Sequence, residues 1–251
     1  MAIALLVRPS ATSCSTSRPR EVNSAFFAGS EPVKDLGEAV VRLGFAQIYQ
    51  LVAVVCWTRS LAPARGDDGS YGLHLWTHSV SAAIAAELLA KDFGAEPSEA
   101  FTVGLLHDIG KVVLADALGS KYVELSEELD SQQPYPVQTE KKLLGVEHCE
   151  VGGRLLARWK FPAPIVAAIW NHHNPAKAKP HQKLAALIYW SDLVASNIEN
   201  FQSDRERIEQ LAEEQRNAFQ TMAPSPEQFR RCSAQVLERL TAARTVLGLN
   251  G

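Results

Sequence analysis

The chain has 251 residues, of which 46% are hydrophobic and 21% charged, a composition that is ordinary for a globular protein. Its net charge of −3, from 25 basic and 28 acidic residues, lacks the strongly basic balance expected of a nucleic-acid-binding protein. The densest apolar run, LVAVVCW at 51–57, is far shorter than the roughly 20 residues that span a bilayer, so we expect a cytoplasmic protein without a membrane partner.

Helices dominate the predicted secondary structure, because strand-type alternation is scarce and strong helix formers are abundant. The polar start of the chain predicts a disordered segment over residues 1–21. A helix is predicted over 35–60 and a loop over 62–70. From Leu73 to Phe93 apolar residues cover most sides of the next predicted helix, which indicates a central, buried position.

The rest of the chain is also predicted to be helical. Pro97 favours a helix start, and that helix is predicted to run to Gly110 in the motif HDIG. Two helices are predicted between 112 and 144, with a break at 131–136. Three more follow, at Glu147–Trp159, Pro164–Asn174 and Leu184–Ile198. The last fifty residues predict two charged amphipathic helices around 223–227, so the fold class is an all-α bundle with a C-terminal helical tail.

Seven residues of the kinds that bind metals lie in or at the ends of these apolar helices. They are His78, His107, Asp108, His148, His172, His173 and Asp192. Asp192, for example, shares a helix face with Ala185 and Ile188, and an unpaired buried carboxylate is costly. A divalent metal would offset that cost for all seven, because imidazole and carboxylate groups are usual ligands of such ions.

Each residue taken alone has a plainer explanation. A single histidine is more often hydrogen-bonded in the core or exposed, the His172-His173 pair could favour the negative end of its helix, and Asp192 could pair with an arginine. Adjacent helical residues point about 100° apart, so His107 and Asp108 would not face one another. They could still serve a metal beyond the helix end, or two metals that share the carboxylate.

The cysteines Cys14, Cys56, Cys149 and Cys232 form no CxxC pair and are interpreted as reduced, mostly buried thiols. Cys149 directly follows His148, so a ligand role stays open for it, although no second cysteine lies nearby in the sequence.

The order H…HD…H…HH…D resembles the HD superfamily of metal-dependent phosphohydrolases. Within it, the chain is similar to the HDOD domain, a bacterial signalling and regulatory module. The segments that carry the resemblance are VNSAFFAG (22–29), AVVRLGFAQIYQLV (39–52), LWTHSVSAA (75–83), EAFTVGLLHDIGKVVL (99–114), HCEVGGRLLARWKFPAPIVAAIWNHHNP (148–175) and LAALIYWSDLVA (184–195). The resemblance implies an HD-type helical domain over 22–200 and a helical tail over 201–251 that packs on it.

The resemblance also implies the roles of the site residues. The seven residues above match the family's metal-binding pattern for one or two divalent transition-metal ions, with Fe, Mn, Zn and Ni not distinguished. Asp108 would bridge the metals, and Lys111 matches a lysine that often follows the His-Asp pair and faces a phosphate; these two are the implied catalytic residues. A solvated helix-end lysine is the alternative for Lys111. His74, one turn before His78, could add a ligand, but a surface histidine is the simpler interpretation.

Two departures from the family bear on function. HDOD domains usually begin with several helices before the NSA segment, where this chain has the polar residues 1–21. The segment HHNPAKAKP lacks the Gly-Tyr-Pro signature that follows the histidine pair in relatives that hydrolyse cyclic dinucleotides.

Three functions remain open at this point. We favour a regulatory module with a metal site, whose partners would be signalling proteins or a phosphorylated small molecule. An active metal-dependent phosphohydrolase or phosphodiesterase is the main alternative. A helical adaptor whose polar core residues hydrogen-bond to one another is the third.

Overall fold

The computed structural model describes residues 70–130, 137–198, 210 and 223–247. Within these ranges the chain forms helices and turns and contains no strand, which confirms the all-α prediction. The longer helices are α1 (Ser70–Leu89), α2 (Pro97–Leu106), α3 (Ile109–Leu118), α4 (Ser120–Asp130), α5 (Val137–Leu144), α6 (His148–Arg158), α7 (Ala163–Trp170), α8 (Gln182–Asn197) and α9 (Pro226–Leu247). Two 3-10 helices lie at Ala90–Phe93 and Pro175–Lys177.

Several predicted features lie outside the described residues: the disordered segment at 1–21, the helix at 35–60, the loop at 62–69, the break at 131–136 and most of the first tail helix. The chain divides into two compact units, one of residues 61–238 and one of residues 1–60 with 239–251. The first unit contains every residue of the predicted site. No described helix combines the length and apolar character needed to cross a membrane.

Helix α1 lies at the centre of the larger unit and packs against α2 and α8. Trp76 on α1 and Trp190 on α8 are almost fully buried. Helix α2 approaches α1 so closely that a Cβ atom on Gly104 would lie 2.7 Å from the carbonyl oxygen of Ala82. This approach brings His107, three residues after Gly104, opposite His78, which lies one turn before Ala82.

The prediction of one helix from Pro97 to Gly110 is wrong, because α2 ends at Leu106 and α3 begins at Ile109. The start is as expected: the Glu96 carboxylate accepts from the amides of Ser98 and Glu99. At the other end the Gly104 carbonyl lies 2.8 Å from Nδ1 of His107, so a side chain competes for the acceptor that a continued helix would use.

The prediction of two helices between residues 112 and 144 is also wrong. The structure has three there, since Gly119, with a φ of 65°, separates α3 from α4 before the expected break at 131–136. The helices predicted at Glu147–Trp159 and Leu184–Ile198 agree with α6 and α8 to within two residues, the usual uncertainty of helix ends. Helix α1 begins three residues before the predicted Leu73, and α7 ends at Trp170, four residues before the predicted Asn174.

Helices α3 and α6 meet at Gly110, and this contact sets the position of His148. A Cβ atom on Gly110 would overlap the carbonyl oxygen of His148 and lie 2.9 Å from the amide nitrogen of Gly152. Both obstacles are backbone atoms, which cannot rotate away. Only glycine therefore allows the two helices to approach this closely.

Replacing Gly110 with alanine is expected to lower the free energy of unfolding by about 3 kcal/mol, because overpacking against backbone forces the helices apart. Urea denaturation of the two proteins measures the loss. Gly152→Ala, whose new Cβ would lie 3.3–3.4 Å from its neighbours, should cost less. Equal stability of Gly110→Ala and the wild type would contradict the close approach.

Candidate metal centre

The seven predicted site residues lie together in one cluster, although they come from five separate places in the fold. His78 is on α1, the His107-Asp108 pair forms the turn between α2 and α3, and His148 is the first residue of α6. His172 and His173 follow α7, and Asp192 is on α8. Within this cluster the donor atoms of His78, His107 and Asp192, and those of His107, Asp108 and His172, lie within 4.8 Å of one another.

Asp108 lies between two sets of imidazoles. Its Oδ2 atom is 3.5 Å from Nε2 of His78 and 3.5 Å from Nε2 of His107. Its Oδ1 atom is 3.3 Å from Nε2 of His148 and 3.7 Å from Nε2 of His172. The expectation that His107 and Asp108 would not face one another is wrong, because the pair lies in a turn rather than in a helix. One carboxylate thus presents a different oxygen to each set.

Three histidines of the cluster have their Nδ1 atoms occupied elsewhere. Nδ1 of His107 donates to the Gly104 carbonyl at 2.8 Å, and Nδ1 of His172 donates to the Ile169 carbonyl at 2.7 Å. Nδ1 of His148 lies 2.8 Å from a carboxylate oxygen of Glu140. When Nδ1 donates, Nε2 of a neutral imidazole carries a lone pair. All three Nε2 atoms face Asp108, so the cluster presents several donors to one small space.

The imidazole nitrogens also lie close to one another. Nε2 of His78 is 3.1 Å from Nε2 of His107. Nε2 of His148 is 3.4 Å from Nε2 of His172 and 3.2 Å from Nε2 of His173. A proton on one nitrogen of each pair would make the contact a hydrogen bond. A metal ion among these nitrogens would instead accept a lone pair from each neutral imidazole.

Asp192 borders the cluster on the side of α8. Its Oδ1 atom is 3.1 Å from Nε2 of His78 and accepts from the Ser196 hydroxyl at 3.2 Å, while Oδ2 is 3.6 Å from Nδ1 of His173. Arginine pairing, the alternative considered for Asp192, is not found among the described residues. Its carboxylate therefore adds a second negative charge to the cluster.

The electrostatics of the cluster favour ionised carboxylates and added positive charge. Burial, together with the neighbouring His107 and His148, lowers the pKa of His172 to about 3. Burial opposes ionisation of Asp108, but His107 and Lys111 hold its pKa well below the ordinary value. Burial likewise opposes charge on His78, but Asp192 and Asp108 raise its pKa. A proton or a metal ion can supply the positive charge that the carboxylates attract.

Lys111 lies beside Asp108 at the edge of the cluster. Only 4% of its surface is exposed, so the alternative of a solvated lysine is wrong. Its Nζ atom is 3.0 Å from Oδ2 of Asp108 and 2.7 Å from Oδ1 of Asp130. Asp130, the last residue of α4, also accepts from the Ser126 hydroxyl at 3.4 Å. The ammonium group is thus held between two carboxylates. Asp130 could not be singled out from the sequence alone.

Glu140 is a further residue that sequence reasoning missed. It is fully buried, and one oxygen accepts from the backbone amide of His148 at 2.9 Å as well as from Nδ1 of that residue. The Tyr122 hydroxyl donates to the other oxygen at 3.0 Å. Burial opposes ionisation of Glu140, but the adjacent His148 lowers the pKa of this carboxyl. Glu140 therefore fixes the orientation of a candidate ligand.

Replacing Glu140 with glutamine should weaken metal binding by about 10–100-fold, the usual cost of losing a carboxylate that orients a histidine ligand. Glutamine keeps the size of the side chain but removes its charge. Titration against a chelator of known affinity measures the change. The matched control is Glu150→Gln, two residues after His148, because Glu150 pairs with Arg154 at the surface. Equal affinity of Glu140→Gln and the wild type would exclude this role.

A cleft of about 160 Å³ reaches the cluster from the side of His78. It is lined by His74, Thr77, His78, Asp130, Ala195, Ser196 and Ile198. His74 is exposed and belongs to none of the candidate ligand groups, as expected for a surface histidine. The cleft is smaller than the roughly 300–1,000 Å³ of pockets that enclose drug-sized ligands.

Known structures share this fold. A proposed phosphohydrolase from Shewanella amazonensis has a TM-score of 0.68 at 24% identity, over 91% of this chain and 80% of that one. An HDOD domain protein of unknown function from Geobacter sulfurreducens has a TM-score of 0.66 at 22% identity, over 90% and 80% of the two chains. At these identities the likeness concerns the fold alone.

Curated proteins match parts of the sequence. An uncharacterised protein from Treponema pallidum is 31% identical over 165 residues, which are 63% of this chain and 31% of that protein. Ribonuclease Y from Latilactobacillus sakei is 27% identical over 57% of this chain. The matches span less than a third of each of these relatives. The HDOD domain family matches residues 20–175, more than half of the sequence, and the chain belongs to this family.

Proposed function

We propose that the protein is a signalling or regulatory HDOD protein whose helical bundle holds one or two divalent transition-metal ions. The observation that carries this proposal is the position of Asp108, whose two oxygens face two separate sets of imidazoles. Its Oδ1 atom is buried without a hydrogen-bond partner among the described residues. A buried, unsatisfied carboxylate oxygen is costly, and a cation would offset that cost.

The residues present suit such ions. The proposed ligands are His78, His107, Asp108, His148, His172, His173 and Asp192. Imidazole and carboxylate donors fit Zn, Fe, Ni or Mn. The backbone carbonyls of Gly104 and Ile169 and the carboxylate of Glu140 orient three of the imidazoles, so this chain supplies both the donors and the groups that position them.

A regulatory role is favoured over catalysis by the surroundings of Lys111. In the family pattern this lysine faces a phosphate, but here Asp108 and Asp130 already neutralise its charge. The cleft is small, and the Gly-Tyr-Pro signature after His173 is lacking. A Marinobacter aquaeolei protein of similar fold, with a TM-score of 0.59 at 22% identity, is named as a proposed signal transduction protein. We propose signalling proteins or a phosphorylated small molecule as partners.

Phosphodiester hydrolysis is the second candidate, because the cleft brings solvent to His78 at the edge of the cluster. Bound divalent ions would polarise a phosphoryl oxygen and lower the pKa of a water molecule. Asp108 would then hold the ions together, and Lys111 would have to leave Asp130 to contact the phosphate. Relatives named Ribonuclease Y agree with this chemistry, although the matches cover only about a quarter of their length.

Replacing Asp130 with asparagine tests the regulatory interpretation. Removing this carboxylate frees part of the Lys111 charge, so binding of inorganic phosphate to the metal-loaded protein should tighten about fivefold to tenfold, or about 1–1.4 kcal/mol. Isothermal titration calorimetry measures the affinity. Asp116→Asn, an exposed residue on α3, is the matched control.

The same proteins should be assayed for metal-dependent turnover of bis-nitrophenyl phosphate. If the protein is regulatory, we expect little turnover by the wild type. Robust hydrolysis by the wild type, together with unchanged phosphate affinity in Asp130→Asn, would reject this account and support the phosphodiesterase.

A further inference from the structure

We infer that the Cys149 thiolate is a ligand in the half of the metal centre formed by His148, His172 and His173. This inference rests on the proposed function, because it concerns the same centre. The donor atoms of these four residues all lie within 4.8 Å of one another. Cys149 therefore joins the cluster although it is not part of the family's histidine and aspartate pattern.

The separations of three donor atoms from Nε2 of His148 suit ligands of a single ion, to which Oδ1 of Asp108 would be a further donor. Metal–nitrogen distances of about 2.0–2.1 Å and metal–sulfur distances of about 2.3 Å place neighbouring donors about 3.3–3.6 Å apart. Nε2 of His148 lies 3.4 Å from Nε2 of His172, 3.2 Å from Nε2 of His173 and 3.7 Å from Sγ of Cys149. All three separations are close to the tetrahedral values.

A second observation points to a ligand in this half of the centre. Oδ1 of Asp108, the buried oxygen without a hydrogen-bond partner, is 3.3 Å from Nε2 of His148 and 3.7 Å from Nε2 of His172. Both histidines are fully buried, and Cys149 is 2% exposed. An unsatisfied carboxylate oxygen, three imidazole nitrogens and a sulfur atom thus share a space with little solvent. A cation is the ligand that this set of donors suits.

The simpler role for Cys149 is that of a buried thiol that donates weakly to Nε2 of His148. Cys232 is a buried thiol of this simpler kind. It is 3% exposed, and its Sγ atom lies 3.9 Å from the Ala85 carbonyl, away from the cluster. The two cysteines are equally buried but differ in their surroundings. Cys232 is therefore a matched control for Cys149.

A thiolate would change the choice of metal. Sulfur is a soft donor that favours Zn, and Co as its spectroscopic substitute, over Mn and Mg. The other half of the centre, with His78, His107 and Asp192, offers only nitrogen and oxygen. The two positions would then differ in metal preference, and the half with Cys149 would be selective for zinc-like ions.

The test uses the whole 251-residue chain reconstituted with cobalt(II). Coordination by a thiolate produces a near-ultraviolet sulfur-to-cobalt charge-transfer band, which imidazole and carboxylate ligands do not give. We expect the wild type and Cys232→Ser to show this band, and Cys149→Ser and Cys149→Ala to lose it. A variant that lacks Cys14, Cys56 and Cys232 but keeps Cys149 should retain the band. Cobalt content and circular dichroism are measured on every sample.

The outcomes separate the two proposals. Failure of the folded wild type to bind cobalt would overturn the proposed metal centre itself. Bound cobalt without the band, or a band that persists in a folded Cys149→Ser protein, would overturn only the role of Cys149. X-ray absorption of the zinc-loaded wild type needs no variant: a sulfur shell at about 2.3 Å supports the inference, and nitrogen and oxygen alone reject it.

Discussion

Replacing Asp108 with alanine should reduce bound transition metal at least about tenfold while the helices remain folded. The carboxylate faces both sets of imidazoles, so its removal takes a donor from each half of the centre. A truncated metal ligand typically costs more than the 10–100-fold lost with a residue that only orients one. Elemental analysis of protein reconstituted and then desalted measures the content, and circular dichroism measures the helices.

Two further variants make this result specific. Asp108→Asn keeps the size of the side chain and should lose most of the metal as well, because the amide lacks the second anionic oxygen. Asp116→Ala, an exposed residue on α3, should bind metal like the wild type. Metal content in Asp108→Ala equal to that of the wild type would show that the carboxylate is not a ligand.

Removing the metal from the wild type should lower its stability substantially. An ion that binds only the folded protein adds about 2.7 kcal/mol when its free concentration is 100 times the dissociation constant. For a chain of this size each kcal/mol shifts the melting temperature by about 2–4 °C, so chelation should lower it by roughly 5–10 °C. Calorimetry with the metal-loaded protein, before and after chelation, measures the shift.

Asp108→Ala is also the control for this experiment, because its melting temperature should not respond to the chelator. Identical curves for the loaded and chelated wild type would favour the helical adaptor. In that case the buried histidines would hydrogen-bond to one another, and protons on their imidazole nitrogens would occupy the positions proposed for the metal.

The sequence predicted those parts of the fold and site that follow from local chemistry. Periodic apolar residues placed the helices, and the buried face shared with Ala185 and Ile188 marked Asp192 as unusual. The order of histidines and aspartates indicated the family. These signals are all contained in single segments of the chain.

The remaining features depend on contacts between distant segments. Glu140 lies on a mostly exposed helix, so its sequence context is that of a surface glutamate. In the fold Tyr122 and His148 contact its carboxylate and bury it. Asp130 meets Lys111 across 19 residues. The turn at Asp108 was hidden inside an apparently continuous helical pattern. Tertiary packing, rather than local propensity, determined each of these features.

The central claim is that metal ions lie around Asp108, and X-ray diffraction at a metal absorption edge tests it most directly. Crystals of the protein reconstituted with zinc would be measured above and below the zinc edge. We expect one or two anomalous peaks within bonding distance of Asp108, with His148 and His172 around one of them. An ordered cluster with no anomalous peak, in crystals grown with excess zinc, would contradict the account.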